Sequence, residues 1–213
     1  MKSVNEKKAD GKILDVYIAG TPSCDVDLSL VQCEKRRREL EGVRCEEVLR
    51  EKFFVWRLLE YALEKSFGLS LGEINPRKEE SGKWVADGVF FSLSHSKGAL
   101  AVLVSDEPCG VDIEGEVPPR AKNFAQKVLN ERELRELSAL PESERGQRLL
   151  ELWSMKESLF KMRGGARFSP REEDTLRDVA VMRVSVGGER RILSVASAIV
   201  EQLRIFNDKG AFI

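Results

Sequence analysis

Between residues 49 and 67 the chain places Leu49, Phe53, Trp56, Leu59, Leu63 and Phe67 at spacings of three and four, and the run stops at Gly68. That is the apolar face of one long helix, with a glycine where a left-handed closing residue belongs. The face belongs to the core. Around it the period changes to two. Ile13 to Ala19 alternates and is rich in β-formers, so it predicts a first strand. Val89 to Ser94 and Ala99 to Ser105, separated by Ser96, Lys97 and Gly98, predict a hairpin.

The second half repeats this rhythm after a break at Asp106, Glu107 and Pro108. Gly110 to Glu114 reads as a short strand, and Asn130 with Glu133 three residues on reads as a helix start. A longer helix runs from about Glu142 to Arg163 and ends at Gly164 and Gly165. Val179, Val181 and Val184 then alternate, turn at Gly187 and Gly188, and resume from Ile192 to Val200, a second hairpin. At 213 residues and 42% apolar, the chain has material for one domain or two small ones. The expected fold is α/β (α+β) with an N-terminal half, 1–107, and a C-terminal half, 108–213.

Lys+Arg and Asp+Glu nearly cancel, to a net charge of −1, which excludes the broad basic field that gathers nucleic acid or anionic lipid. Any anion site is local. The four cysteines form no CxxC pair and there is one histidine, so a structural zinc is not expected. The first apolar run, Ile13 to Ala19, is too short for a signal segment or a membrane span, and with free thiols this points to the cytoplasm.

Asp112 and Glu114 stand two apart on the predicted strand and so share a face. Two carboxylates held that close repel unless a cation sits between them, and hard oxygens at this separation suit Mg²⁺. A solvated strand face is the plain alternative. On the long helix, Leu149, Leu150, Trp153 and Phe160 mark the expected buried stripe, with Glu157 inside it. Glu157 either pairs with Lys161 at i+4, worth roughly 0.3–0.5 kcal/mol, or serves a metal or a proton while Lys161 faces a phosphate. His95 lies in Ser-Leu-Ser-His-Ser, where hydroxyls, a turn backbone and an imidazole could cradle phosphate. A serine hydrolase is not indicated, since no Gly-x-Ser-x-Gly elbow is present. Lys35 to Arg38 is a basic run broken by glutamates, and Lys83 is an isolated cation in Gly-Lys-Trp.

Taken in order, Phe91-Ser-Leu-Ser-His-Ser96, Gly110-Val-Asp-Ile-Glu114 and Trp153-Ser-Met-Lys-Glu-Ser158 followed by Lys161 and Gly164 resemble the 4′-phosphopantetheinyl transferase superfamily. The length resembles its larger, surfactin-synthetase-activating type. That resemblance implies a monomeric pseudodimer of two similar halves, each a small antiparallel sheet packed with helices, with the active site in the cleft between them. It implies Mg²⁺-dependent transfer of phosphopantetheine from coenzyme A to a serine of an apo carrier protein, releasing adenosine 3′,5′-bisphosphate. By the same resemblance, Asp112, Glu114 and Glu157 are the metal carboxylates. Glu157 is also the general base, and Lys161 stands beside the α-phosphate. Ser94, His95 and Lys83 contact the cofactor, and Lys35 and Arg38 its 3′-phosphate. The segment with Arg120, Lys122, Phe124, Lys127 and Val128 is where an acidic carrier would dock. The choice among fatty-acid, polyketide and nonribosomal-peptide carriers is not written in these motifs. A Mg²⁺-dependent phosphohydrolase acting on coenzyme A or a nucleotide, and a non-catalytic coenzyme A-binding module, are the competing readings.

Overall fold

The computed structural model describes residues 11–80, 82–115, 121–165 and 167–207. β1 (Leu14–Gly20) leads through two helices, α1 (Glu34–Glu41) and α2 (Glu46–Phe67), and a short turn of helix, α3 (Leu71–Ile74). A two-stranded ribbon, β2 (Arg77–Lys78) and β3 (Trp84–Val85), precedes the hairpin β4 (Phe90–Ser96) and β5 (Ala99–Ser105). Then come β6 (Cys109–Glu114), α4 (Ala121–Val128), α5 (Glu131–Ala139) and α6 (Glu142–Arg163). The hairpin β7 (Val179–Val186) and β8 (Glu189–Ser197) and a last strand, β9 (Arg204–Asn207), complete the described chain.

Two sheets carry the architecture. One has the order β4-β5-β1-β9, the other β6-β8-β7. Strip off β9 and the two share one connectivity: a first strand, a 22-residue helix, then a hairpin whose second strand lies in the centre. Both hairpins turn on two residues of positive φ, Lys97 and Gly98 (45° and 79°) and Gly187 and Gly188 (60° and 86°), the geometry that matches strand twist. α2 ends where its periodicity says, at Gly68 with φ 67°.

β9 stands apart from that shared connectivity. It does not extend the C-terminal sheet but adds in parallel to β1, and Arg204 there makes two bonds, 2.6 and 2.7 Å, to the buried Asp15 carboxylate. Phe206 stacks on Tyr17 at 4.7 Å between centroids. The last described strand therefore closes onto the first sheet rather than the second.

α2 buries Phe53, Trp56, Leu59 and Leu63 against one face of the first sheet. The other face packs its Val16, Ile18, Ala101 and Leu103 against Val111, Ile113, Leu193 and Val195 of the second sheet, so one core joins the halves. α6 covers the outer face of the second sheet, and its stripe is rotated from the one the sequence suggests. Leu152, Met155 and Leu159 are buried, while Trp153 and Phe160 lie half-buried on the flank. There they join Phe124 and Phe168 in a chain of ring contacts. Leucine packs the close sheet contact, and the bulkier rings are left to the rim.

The contact between α6 and β6 depends on Gly110. A Cβ there would lie 1.9 Å from the Ser158 carbonyl oxygen and 2.5 Å from the Met162 nitrogen, both backbone atoms of the helix. Gly110→Ala is expected to cost about 2–3 kcal/mol, the upper part of the overpacking range, read as a lowered urea midpoint at unchanged slope.

On α2, burial raises the Glu60 carboxyl to about 7 despite its ion pair with Arg57. A raised folded-state pKa favours folding below the unfolded value near 4.5, and that stability is lost as pH rises through 7. Glu60→Gln should therefore raise the melting temperature at pH 8, by roughly 2–6 °C, and leave it unchanged at pH 4.

Candidate functional site

The site lies along the seam where β4 of one sheet runs beside β6 of the other. Ser92, Ser94 and Ser96 are spaced two apart, so their hydroxyls share one face of β4. Ser92 Oγ accepts the Val111 amide at 3.0 Å and Ser94 Oγ the Ile113 amide at 3.2 Å. Ser96 Oγ donates to Glu114 at 3.0 Å. Side-chain hydroxyls thus stand in for a backbone ladder between the sheets and fix where the carboxylates of β6 point.

Asp112 is buried at 2% exposure, which rules out the solvated strand face for it. Its Oδ1 accepts from Lys161 Nζ at 2.7 Å and from Ser94 Oγ at 3.0 Å. Lys161 also donates to Ser94 at 3.2 Å and lies 3.6 Å from Glu157 Oε2. The i,i+4 pair is therefore real, but it is the looser of the two carboxylate contacts that Lys161 makes. Burial alone would lower the Lys161 pKa; Asp112, then Glu157, outweigh it and raise it, so the ammonium stays charged.

The acids respond in the opposite sense. Burial, opposed by Lys161 and then reinforced by Asp112 and Glu114, pushes Glu157 up to about 7. Glu114 is also raised, by burial and by Asp112, against its bonds from Ser96 and Trp153. Three carboxylates in mutual repulsion around one ammonium form a site with excess negative charge.

That arrangement fits a divalent cation. Asp112 Oδ2 is buried without a hydrogen-bond partner, an orphaned hard oxygen on the residue at the centre of the cluster. Among the described residues no three His, Cys, Asp or Glu side chains converge tightly enough to chelate an ion alone. Mg²⁺ does not require that, because it takes one or two carboxylates and fills its octahedron with phosphate oxygens and water.

His95, alternating away from the serines, meets α2. Its Nδ1 lies 2.8 Å from Glu51 Oε2, and Glu51 Oε1 accepts the Gly98 amide at 2.6 Å. Burial lowers the His95 pKa more than Glu51 raises it, so the ring is neutral, Nδ1–H donates to Glu51, and Nε2 is left for a further contact. Glu51 had a sequence signal: it falls three and seven residues before Phe54 and Leu58, which puts a carboxylate on an apolar stripe.

Lys83 reaches the C-terminal end of α6, its Nζ 2.6 Å from the Lys161 carbonyl and 3.4 Å from that of Met162. With Trp84, Phe91, Leu93, Phe160 and Lys161 it lines a cavity of about 280 Å³ beside the cluster. Lys35 and Arg38 lie on α1, where Lys35 donates to the Lys78 carbonyl at 3.2 Å and Arg38 pairs with Glu34. The buried member of that basic run is Arg36, bonded to the Lys52 carbonyl at 2.6 Å with its guanidinium over Trp56. Of the proposed docking residues, Lys127 is exposed and Phe124 half-buried. Val128 is taken up by the core beside Leu129 and Leu152, which corrects its reading as a surface anchor. Arg120 and the Lys122 side chain lie outside the described residues.

Fold and site together define an α/β protein with an acidic cluster and one charged lysine at the seam of two sheets. Residues 108–197, which hold Asp112, Glu114, Glu157 and Lys161, match the family model of the 4′-phosphopantetheinyl transferase superfamily. The chain is similar to 4′-phosphopantetheinyl transferase psf-1 of Bacillus pumilus, 30% identical over 110 residues, 50% of this chain and 47% of that protein. It is similar to 4′-phosphopantetheinyl transferase Sfp of Bacillus subtilis strain 168, 27% identical over 123 residues, 56% and 54%. A third, 4′-phosphopantetheinyl transferase gsp of Aneurinibacillus migulanus, is 30% identical over 95 residues, 44% and 40%. The resemblance read from the three motifs holds, and it is to the Sfp-like type. The chain spans about half the length of the curated relatives it matches.

Proposed function

We propose that the protein is a Mg²⁺-dependent 4′-phosphopantetheinyl transferase that moves phosphopantetheine from coenzyme A to a serine of an apo carrier protein. The observation that carries this reading is the cluster of Asp112, Glu157 and Lys161, with Asp112 Oδ1 on the Lys161 ammonium and its second oxygen unpaired. The serine oxygen forms a bond to the β-phosphorus. The bond from that phosphorus to the bridging oxygen breaks, and adenosine 3′,5′-bisphosphate leaves. The serine proton goes to Glu157, directly or through a water, and a carboxyl with a pKa near 7 is matched to that exchange. Lys161 neutralises charge on the departing phosphate. An arriving phosphate favours the protonated His95 ring, whose Nε2–H then donates to it while Glu51 holds Nδ1. Lys83, Lys35 and Arg38 are the further cofactor cations in this reading. Asp112, Glu114 and Glu157 would hold the Mg²⁺, which when bound supplies charge neutralisation on the diphosphate. Lys122, Phe124 and Lys127 are the docking residues proposed for the carrier. No described helix is long and apolar enough to cross a membrane, and the cytoplasm and a monomeric state complete the proposal.

The test is intact-mass measurement after incubation with coenzyme A, Mg²⁺ and a panel of apo carriers. Mass gain by phosphopantetheine on one carrier supports the reading. Coenzyme A cleaved without an acceptor supports the phosphohydrolase instead, and binding without turnover supports the non-catalytic module. In the same assay Asp112→Ala should abolish transfer at every Mg²⁺ concentration tried, because Lys161 loses its anchor and the cation its central oxygen. Transfer at the wild-type Mg²⁺ optimum would contradict that.

A further inference from the structure

Beyond the carboxylates, toward the N-terminal half of α6, lies a second cavity of about 240 Å³ at the end of the C-terminal sheet. It is lined by Glu114, Gln147, Leu150, Arg183, Arg190 and Arg191. The pairing register explains the gathering: Glu114, Ile192 and Arg183 form one row across β6, β8 and β7, and Arg190 shares that face two residues before Ile192. Arg191 comes from the other face and is 8% exposed. Its guanidinium packs against Gly115, where a Cβ would meet Nη1 at 2.3 Å. It donates to the Lys97 carbonyl at 2.9 Å and pairs with Glu189, yet its buried Nε has no acceptor.

Arg183 is shared with Glu151 at 3.2 Å and, in the amide orientation that satisfies both groups, with the Gln147 oxygen at 2.8 Å. Arg190 is exposed and has no ion-pair partner among the described residues. Glu114 is engaged with Ser96 and faces the Asp112 cluster. Three guanidiniums therefore border the cavity, and the donors still to be matched are the exposed Arg190 fork and the buried Arg191 Nε, a geometry suited to one carboxylate.

Position selects the ligand. Leu150 precedes Glu157 by seven residues, about 10 Å along the helix, on the side away from Lys161. In phosphoryl transfer the attacking and leaving oxygens stand roughly in line across the phosphorus. If the leaving bisphosphate sits toward Lys161, Ser94 and Lys83, the acceptor arrives from the side of this cavity. We propose that the Arg183, Arg190 and Arg191 cavity receives an acidic side chain of the acceptor protein near its accepting serine, and so selects and positions the acceptor. The proposal rests on the transfer reaction proposed above.

The experiment uses the full chain, Arg190→Glu and the pair Arg183→Ala with Arg190→Ala, assayed with an apo carrier that the wild type modifies. Both residues are exposed and neither is bonded to Asp112, Glu157 or Lys161, so melting temperatures should match wild type. The expected result is a KM for the carrier raised roughly 5- to 10-fold at low salt, with the difference narrowing as salt rises. The KM for coenzyme A and the turnover at saturating carrier should stay unchanged. A carrier in which one acidic residue near the serine is changed to Lys should recover activity with Arg190→Glu. Unchanged carrier KM in both variants overturns the proposal, and so does a raised coenzyme A KM, which would give the cavity to the cofactor. A wild type that modifies no carrier overturns the transfer reading itself, and this proposal with it.

Discussion

A Glu157→Gln variant is expected to fold with wild-type stability, bind coenzyme A as tightly, and transfer phosphopantetheine roughly 10²-fold more slowly or worse. The structure sharpens this beyond the helical spacing. Were Glu157 only the i,i+4 partner of Lys161, its loss would cost well under about 1 kcal/mol and leave catalysis intact. But Lys161 is anchored by Asp112 at 2.7 Å, against 3.6 Å to Glu157, so it keeps its place when the Glu157 charge is removed. Glu157 is moreover held near 7, first by burial and then by the charges of Asp112 and Glu114. Removing its charge relieves that repulsion, so the amide should cost no stability. A carboxylate kept where folding gains nothing from its charge is accounted for by proton transfer or cation binding. Thermal melting, coenzyme A titration and single-turnover transfer on one preparation decide the matter. A variant that folds and transfers within a few-fold of wild type would show that the proton goes elsewhere.

What the sequence makes legible here is local. The two hairpins follow from Lys97-Gly98 and Gly187-Gly188, because positive φ at both turn positions is required and signalled there. α6 keeps its expected ends, and Asn130 with Glu133 forms the capping box its spacing indicates. The shared face of Asp112 and Glu114 follows from strand period alone. What is not legible depends on contacts distant in the chain. β9 is four exposed residues whose place is decided by Asp15, 189 positions away from Arg204, and no periodicity encodes a parallel addition. The rotation of the α6 stripe reflects Gly110, whose missing side chain brings β6 against Ser158 and makes the Leu152, Met155 and Leu159 face the close one. Ser92 and Ser96 were readable as period-two companions of Ser94, but only the neighbouring sheet shows that they replace a ladder. Lys156 was legible only as a charge beside Glu157, and its burial is the least expected feature of the helix.

Lys156→Met is expected to lower stability by about 3–5 kcal/mol, a fall in melting temperature of roughly 10 °C or more. Lys156 is fully buried, and its ammonium lies 2.9 Å from Glu133 Oε2, 2.8 Å from the Pro170 carbonyl and 3.1 Å from the Glu173 carbonyl. Three donors meet three acceptors, so nothing in the group is left unpaired. Glu133, equally buried, also accepts the Asn130 amide at 3.0 Å and the Thr175 hydroxyl at 3.0 Å. The pair thereby ties α5 and the 170–175 segment to α6. Methionine matches the length of the lysine stem but strands two carbonyls and leaves the buried Glu133 carboxylate only Arg132, 3.7 Å away, as countercharge, and the desolvation cost of a poorly compensated buried charge far exceeds that of a lost surface pair. Glu133→Gln in the Lys156→Met background removes the stranded charge while keeping the cap and the Thr175 contact. The double variant should therefore be more stable than Lys156→Met alone, a non-additive recovery that two independent sites would not give. Urea unfolding of wild type, both single variants and the double variant supplies the cycle. Additive losses, or a Lys156→Met chain within about 1 kcal/mol of wild type, would mean that the two charges do not hold this side of α6 in place.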